Sequence, residues 1–167
     1  SQDPATHQVT GVSMSGSDPT KQNDDLPKLS LKAATELLLQ GKAQIQAGQF
    51  ADAQGLLERL LTDYPNHSEA LYFISVAQRL SENYAGALSS LQKLITIEPS
   101  YGRAYQERGH VFMARNEHDA ARSAFQQAVR LNSSLIASWR VLMTLTDPEL
   151  DQKAQEYFKD QYQRLAA

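Results

Sequence analysis

From Leu29 onward, apolar residues recur at steps of three and four, with polar residues between them. That spacing lines one face of an α-helix. The pattern predicts eight helices as four antiparallel pairs: residues 31–47 and 50–63, 68–80 and 84–97, 102–114 and 118–131, 135–146 and 149–164. Breaks fall at Gly48-Gln49, Tyr64-Pro65-Asn66, Ser81-Glu82-Asn83, Glu98-Pro99-Ser100, Arg115-Asn116, Asn132-Ser133 and Asp147-Pro148. Connections this short force sequential helices to lie antiparallel. Asp147 is placed to cap the last helix, with Pro148 at its first position, where a missing N–H costs nothing. Gly48, Asn83 and Asn116 suit the turns inside the pairs, where φ turns positive.

A fixed period runs through these helices. The pairs Ala53/Leu57, Ala87/Leu91 and Ala121/Phe125 are spaced 34 residues apart, and Ala154/Phe158 follows 33 later. Pro65 and Pro99 keep the same interval, and Ser133 stands where a third proline is due. Each repeat is one supersecondary unit that buries its apolar face only by stacking on its neighbours. Small residues at Gly41, Ser75 and Gly109 on the first helix, and at Ala53, Ala87 and Ala121 on the second, let the two helices approach closely. Leu57, Leu91 and Phe125 fill the space between pairs.

The motif resembles the tetratricopeptide repeat. It runs through Leu37, Gln40, Gly41, Gln44, Ala53, Leu57 and Pro65; then Leu71, Ile74, Ser75, Gln78, Ala87, Leu91 and Pro99; then Tyr105, Arg108, Gly109, Phe112, Ala121, Phe125 and Ser133. The fourth copy offers Trp139, Leu142, Met143, Ala154 and Phe158, and no closing proline. Its polar Gln152, Lys153, Gln155, Lys159 and Gln163 mark a degenerate capping repeat with one face toward solvent. The resemblance implies an all-α, right-handed solenoid of about four helix-turn-helix repeats over residues 28–167. It also implies a scaffold that binds a protein or extended peptide in a concave groove. Tyr105–His110 and Ala137–Arg140 carry a further resemblance, to repeat regions that precede a bacterial sulfotransferase domain. That resemblance implies the recognition arm of a larger enzyme. Self-association of copies is a third reading.

In arrays of this kind the first helices line the groove. Here the positions implied are Leu38, Lys42, Tyr72, Arg79, Arg103, Gln106, His110, Met113 and Arg140. Lys42, Arg79, Arg103 and Arg140 against Glu69 make a basic stripe, which suits an acidic ligand or a terminal carboxylate gripped by arginine. Chaperone-binding members clamp such a carboxylate with Asn and Lys. Leu38, Lys42, Tyr72 and Val76 occupy those positions, so chaperone binding is not expected. Arg108 stands in a slot that should be buried and apolar, which calls for a partner or a snorkelling stem. Trp139, at a motif position, belongs to the core.

Composition narrows the classes. Residues 1–27 carry four aspartates against Lys21, which accounts for the whole net charge of −3 and leaves 15 basic and 15 acidic side chains in the remainder. Rich in Ser, Thr, Asp, Gly and Pro, that segment reads as a flexible polar tail, with Ser1–Pro4 a candidate tag remnant. A neutral body argues against nucleic-acid binding. No apolar run is long enough to span a membrane. The chain has no cysteine, which excludes thiolate metal sites and fits a cytoplasmic, reducing setting. His7, His67, His110 and His118 have no metal-site spacing. No nucleophile elbow, phosphate loop or carboxylate dyad is present. The expectation is a non-enzyme without cofactor or metal.

Overall fold

The computed structural model describes residues 28–167; the segment read as a flexible tail lies outside them. Eight helices follow in order: α1 (Leu31–Gln46), α2 (Phe50–Asp63), α3 (Ser68–Leu80), α4 (Tyr84–Ile97), α5 (Gly102–Ala114), α6 (His118–Leu131), α7 (Ile136–Leu145) and α8 (Gln152–Ala166). Each packs on its predecessor, and no strand occurs among the described residues. The result is the expected all-α solenoid.

The period reappears as repeated hydrogen bonds. The N–H groups of Gln49, Asn83 and Glu117 donate to the carbonyls of Gln44, Gln78 and Phe112 at 2.8–2.9 Å. That bond closes the first helix of each pair around one left-handed residue. Those residues are Gly48 (φ 78°), Glu82 (φ 64°) and Asn116 (φ 58°). The middle one corrects the expectation for Asn83. Asn83 is instead the N-cap of α4, accepting from the Gly86 N–H at 3.0 Å. A residue with a Cβ in the left-handed region costs about 1–2 kcal/mol. Glu82→Gly is therefore expected to raise stability by about 0.5–1 kcal/mol, after the larger entropy of an unfolded glycine is deducted. A denaturant midpoint that fails to rise overturns this.

The links between pairs also repeat. His67 and Tyr101 donate to the carbonyls of Tyr64 and Glu98 at 3.1 Å, and Leu135 to that of Asn132 at 3.4 Å. Where Ser133 replaces proline, the turn is held by side chains. Asn132 Oδ1 accepts from the Ser134 N–H at 2.9 Å, and the Ser133 carbonyl accepts from Trp139 Nε1 at 2.8 Å.

The last pair departs from expectation. After Pro148 the chain makes a single turn, with the Leu150 and Asp151 N–H groups both donating to the Asp147 carbonyl. Asp147 Oδ1 takes the Glu149 N–H at 2.9 Å, so Asp147 caps that turn and not the helix. The cap of α8 is Asp151, which accepts from the Ala154 N–H at 3.1 Å. Upstream, Arg122 of α6 donates to the Leu145 carbonyl at 2.9 Å and closes the end of α7.

Three apolar clusters run along the stack. One centres on Leu57, Leu60 and Ile74, one on Leu91, Leu94 and Val111, and one on Phe125, Trp139 and Leu142. Trp139 is core, as expected, at 4% exposure. No residue of α8 is fully buried. It covers α7 with Phe158 and Tyr162 and turns its remaining faces outward.

Candidate partner-binding surface

The first helices of the pairs form an inner row. α1 touches α3, and α3 touches α5. The second helices are spread further apart, with clefts of about 710 Å³ between α2 and α4 and about 480 Å³ between α4 and α6. Close packing on one side and open packing on the other curves the stack, with α1, α3, α5 and α7 on the inside.

The implied groove positions have different fates on this face. Leu38 (8% exposed) and Tyr72 (7%) are buried, so the apolar area expected from them is closed off. Met113 is half-buried against the third cluster. Gln106 is pinned, its Oε1 accepting from the Ser138 hydroxyl at 2.7 Å.

The cations divide into two kinds. Arg79 pairs with Glu107, whose side chain is only 4% exposed, through Nε and, at 3.4 Å, through Nη2. Lys42 reaches Glu69 at 3.7 Å and lies 4.7 Å above the Phe73 ring. Arg103 has no carboxylate within ion-pair distance among the described residues; its guanidinium lies 4.2 Å above the Tyr72 ring. Arg140, exposed on α7, likewise has none. The stripe therefore holds four cations against two carboxylates, and its excess charge belongs to Arg103 and Arg140.

His110 sits half-buried between these groups, its ring edge-on to Phe125 at 5.2 Å. Burial, and then the positive charges of Arg79 and Arg140, push its pKa down to about 4. At neutral pH it is an uncharged imidazole, a hydrogen-bonding group and not a third cation. Burial also pushes the Tyr72 hydroxyl up, against the opposing pull of Arg103.

Glu107 is the residue the sequence reading missed. It follows Leu39 and Phe73 at the 34-residue interval and precedes Val141 by the same interval. A lone acid in an apolar row was the available signal. Arg108 stands in the apolar slot beside it, yet its head is not buried. It donates to Gln92 Oε1 at 2.9 Å and lies 5.5 Å from the Tyr105 ring centre, on the side of the stack away from the groove. No group of three or more metal-ligating side chains occurs among the described residues. No helix there is long and apolar enough to cross a membrane.

Comparison with known proteins agrees with this geometry. Tetratricopeptide repeat protein 36 from Mus musculus is 26% identical over 139 residues, covering 81% of this chain and 75% of the relative. Among solved structures, MamA superposes with a TM-score of 0.64 at 21% identity, over 80% of this chain and 76% of that one. The first tetratricopeptide domain of Spaghetti (RPAP3), solved with an HSP90 peptide, superposes with a TM-score of 0.58 at 16% identity, over 83% and 98%. Two family models described as tetratricopeptide repeat match residues 38–102 and 102–135, together more than half of the chain. The curved stack, the left-handed residue repeating at Gly48, Glu82 and Asn116, and these matches place the chain in the tetratricopeptide repeat family.

Proposed function

We propose that this protein is an interaction scaffold whose inner face binds an acidic peptide or an acidic segment of a partner protein. The observation that carries this reading is the pair of arginines, Arg103 and Arg140, without a carboxylate partner on a face where Arg79 and Lys42 are already neutralised. Arg103, 4.2 Å above the Tyr72 ring, keeps N–H groups for a carboxylate, and part of its ordering entropy is lost before binding. Gln106 and His110, fixed beside them, offer uncharged hydrogen-bonding groups. The fold accommodates such a ligand elsewhere: the Spaghetti domain was solved with the peptide SRMEEVD. In Tyr105–His110 and Ala137–Arg140, Glu107 pairs with Arg79 and Trp139 fills the core, while Gln106, His110 and Arg140 belong to the inner face; these segments support the groove reading and carry no separate argument for a sulfotransferase arm.

Arg103→Glu and Arg140→Glu are each expected to weaken an acidic peptide by about tenfold or more, because attraction becomes repulsion at a groove wall. Neither is expected to move the melting temperature appreciably, since Arg140 and Arg103 are exposed. The measurement is a pull-down from source-organism lysate with wild type and the double variant, followed by titration of the captured acidic segment. Full retention of binding by both single variants overturns the basic groove.

A further inference from the structure

The outer face carries two equivalent clefts whose chemistry differs. The α2/α4 cleft has an apolar floor of Leu71 and Ile74 and carries one charge of each sign, Glu58 and Lys93. One period later, the α4/α6 cleft has Tyr105, Arg108 and Phe112 on its floor, and Arg108 is its one ionisable side chain besides the Tyr105 phenol. Ile74, the residue one period before Arg108, is buried at 4% exposure. Arg108 occupies the equivalent slot, its guanidinium at Gln92 and the Tyr105 ring, in a cleft that Leu88 and Phe112 also line.

Nothing there neutralises it. No carboxylate of the described residues lies within ion-pair distance of Arg108. Its contacts are the uncharged Gln92 amide and the Tyr105 ring. A cation on apolar walls keeps its unsatisfied N–H groups turned toward the opening, where an anion gains two charge-assisted hydrogen bonds. The cleft is an open groove of about 480 Å³, with room for a small ligand laid along its floor.

We propose that the α4/α6 cleft is a second binding site, separate from the groove, for a small organic acid: one carboxylate on Arg108, with an apolar body against Leu88, Phe112 and Ala124. The acid displaces Gln92 from the guanidinium and leaves the inner face untouched.

The test uses the whole chain, with phenylbutyrate as the probe and uncharged phenylbutanol as its control, both titrated by NMR. Wild type is expected to bind the acid saturably and about tenfold more tightly than the alcohol, the factor a charge-assisted hydrogen bond supplies. Arg108→Leu returns an apolar residue to an apolar slot, so folding is retained. It is expected to abolish the preference by weakening the acid about tenfold while the alcohol binds as before. Ser123→Trp places a ring in the cleft mouth from α6 and is expected to abolish binding of both probes. Arg103→Glu with Arg140→Glu is expected to leave both affinities unchanged, which separates this site from the groove. Equal affinity of wild type for acid and alcohol, a preference surviving Arg108→Leu, binding retained in Ser123→Trp, or lack of saturable binding each overturns the proposal.

Discussion

Gly109→Leu is expected to lower the stability of the domain by about 2–4 kcal/mol, a fall of roughly 5–15 °C in melting temperature. A Cβ on Gly109 would lie 2.7–2.8 Å from three ring carbons of Phe125. That ring is fully buried and has His110 against it, so it has nowhere to retreat. The other repeats show how the clash is normally avoided. Gly41 faces Leu57, whose nearest atoms would lie 3.1 Å from an added Cβ. Ser75, one period before Gly109 in a repeat with Leu91 in place of Phe125, already carries a Cβ and turns its hydroxyl back to the Tyr72 carbonyl at 2.6 Å. The defect is therefore specific to the Gly109/Phe125 pair. Gly109→Ser is expected to be tolerated far better in a Phe125→Leu background than alone, because the combination reproduces the second repeat. Thermal unfolding of the four proteins in that cycle gives the coupling directly. Additive effects would mean that the crossing is looser than these distances require.

The second large effect is at Arg79. Arg79→Ala is expected to cost about 3 kcal/mol, the lower end of the range for removing one partner of a buried ion pair. It sits at the lower end because Arg79 is 24% exposed while Glu107 is 4% exposed. The loss comes mostly from leaving the Glu107 carboxylate in a low-dielectric site with no counter-charge. Replacing both, Arg79→Met with Glu107→Leu, is expected to come within about 1 kcal/mol of wild type, because nothing charged is left behind. Lys42→Ala, which breaks the exposed pair with Glu69, is expected to stay within about 0.5 kcal/mol. Denaturant unfolding of these variants separates the two classes of cation. If Arg79→Ala proves as mild as Lys42→Ala, Glu107 is solvated and Arg79 rejoins the free charge of the groove.

The four cations show how far the sequence reaches. The resemblance implies Lys42, Arg79, Arg103 and Arg140 as positions of the first helices, and they lie on α1, α3, α5 and α7. Their different electrostatic roles were not legible. Arg79 and Glu107 are 28 residues apart and meet only because α3 and α5 pack side by side. Leu38 and Tyr72 occupy inner-helix positions yet are closed over by neighbours from other repeats.

Local interactions explain what the chain alone determined. Helix register and the turns closed by Gln49, Asn83 and Glu117 depend on residues within about one turn of each other, and the 34-residue period repeats that local pattern, so spacing suffices to predict the helices and the place of the turns. Even the left-handed residue at Glu82 follows from that period once it is counted from Gly48. What only the tertiary structure decided is which charges are spent on each other. The pairing of Arg79 with Glu107, the outward turn of Arg108 and the freedom of Arg103 and Arg140 depend on how helices from different repeats approach. Those approaches are fixed by packing across the stack, with Coulomb and desolvation energies that vary steeply with distance and burial. A linear period specifies which residues share a face, and the packed helices determine which of them are left to meet a partner.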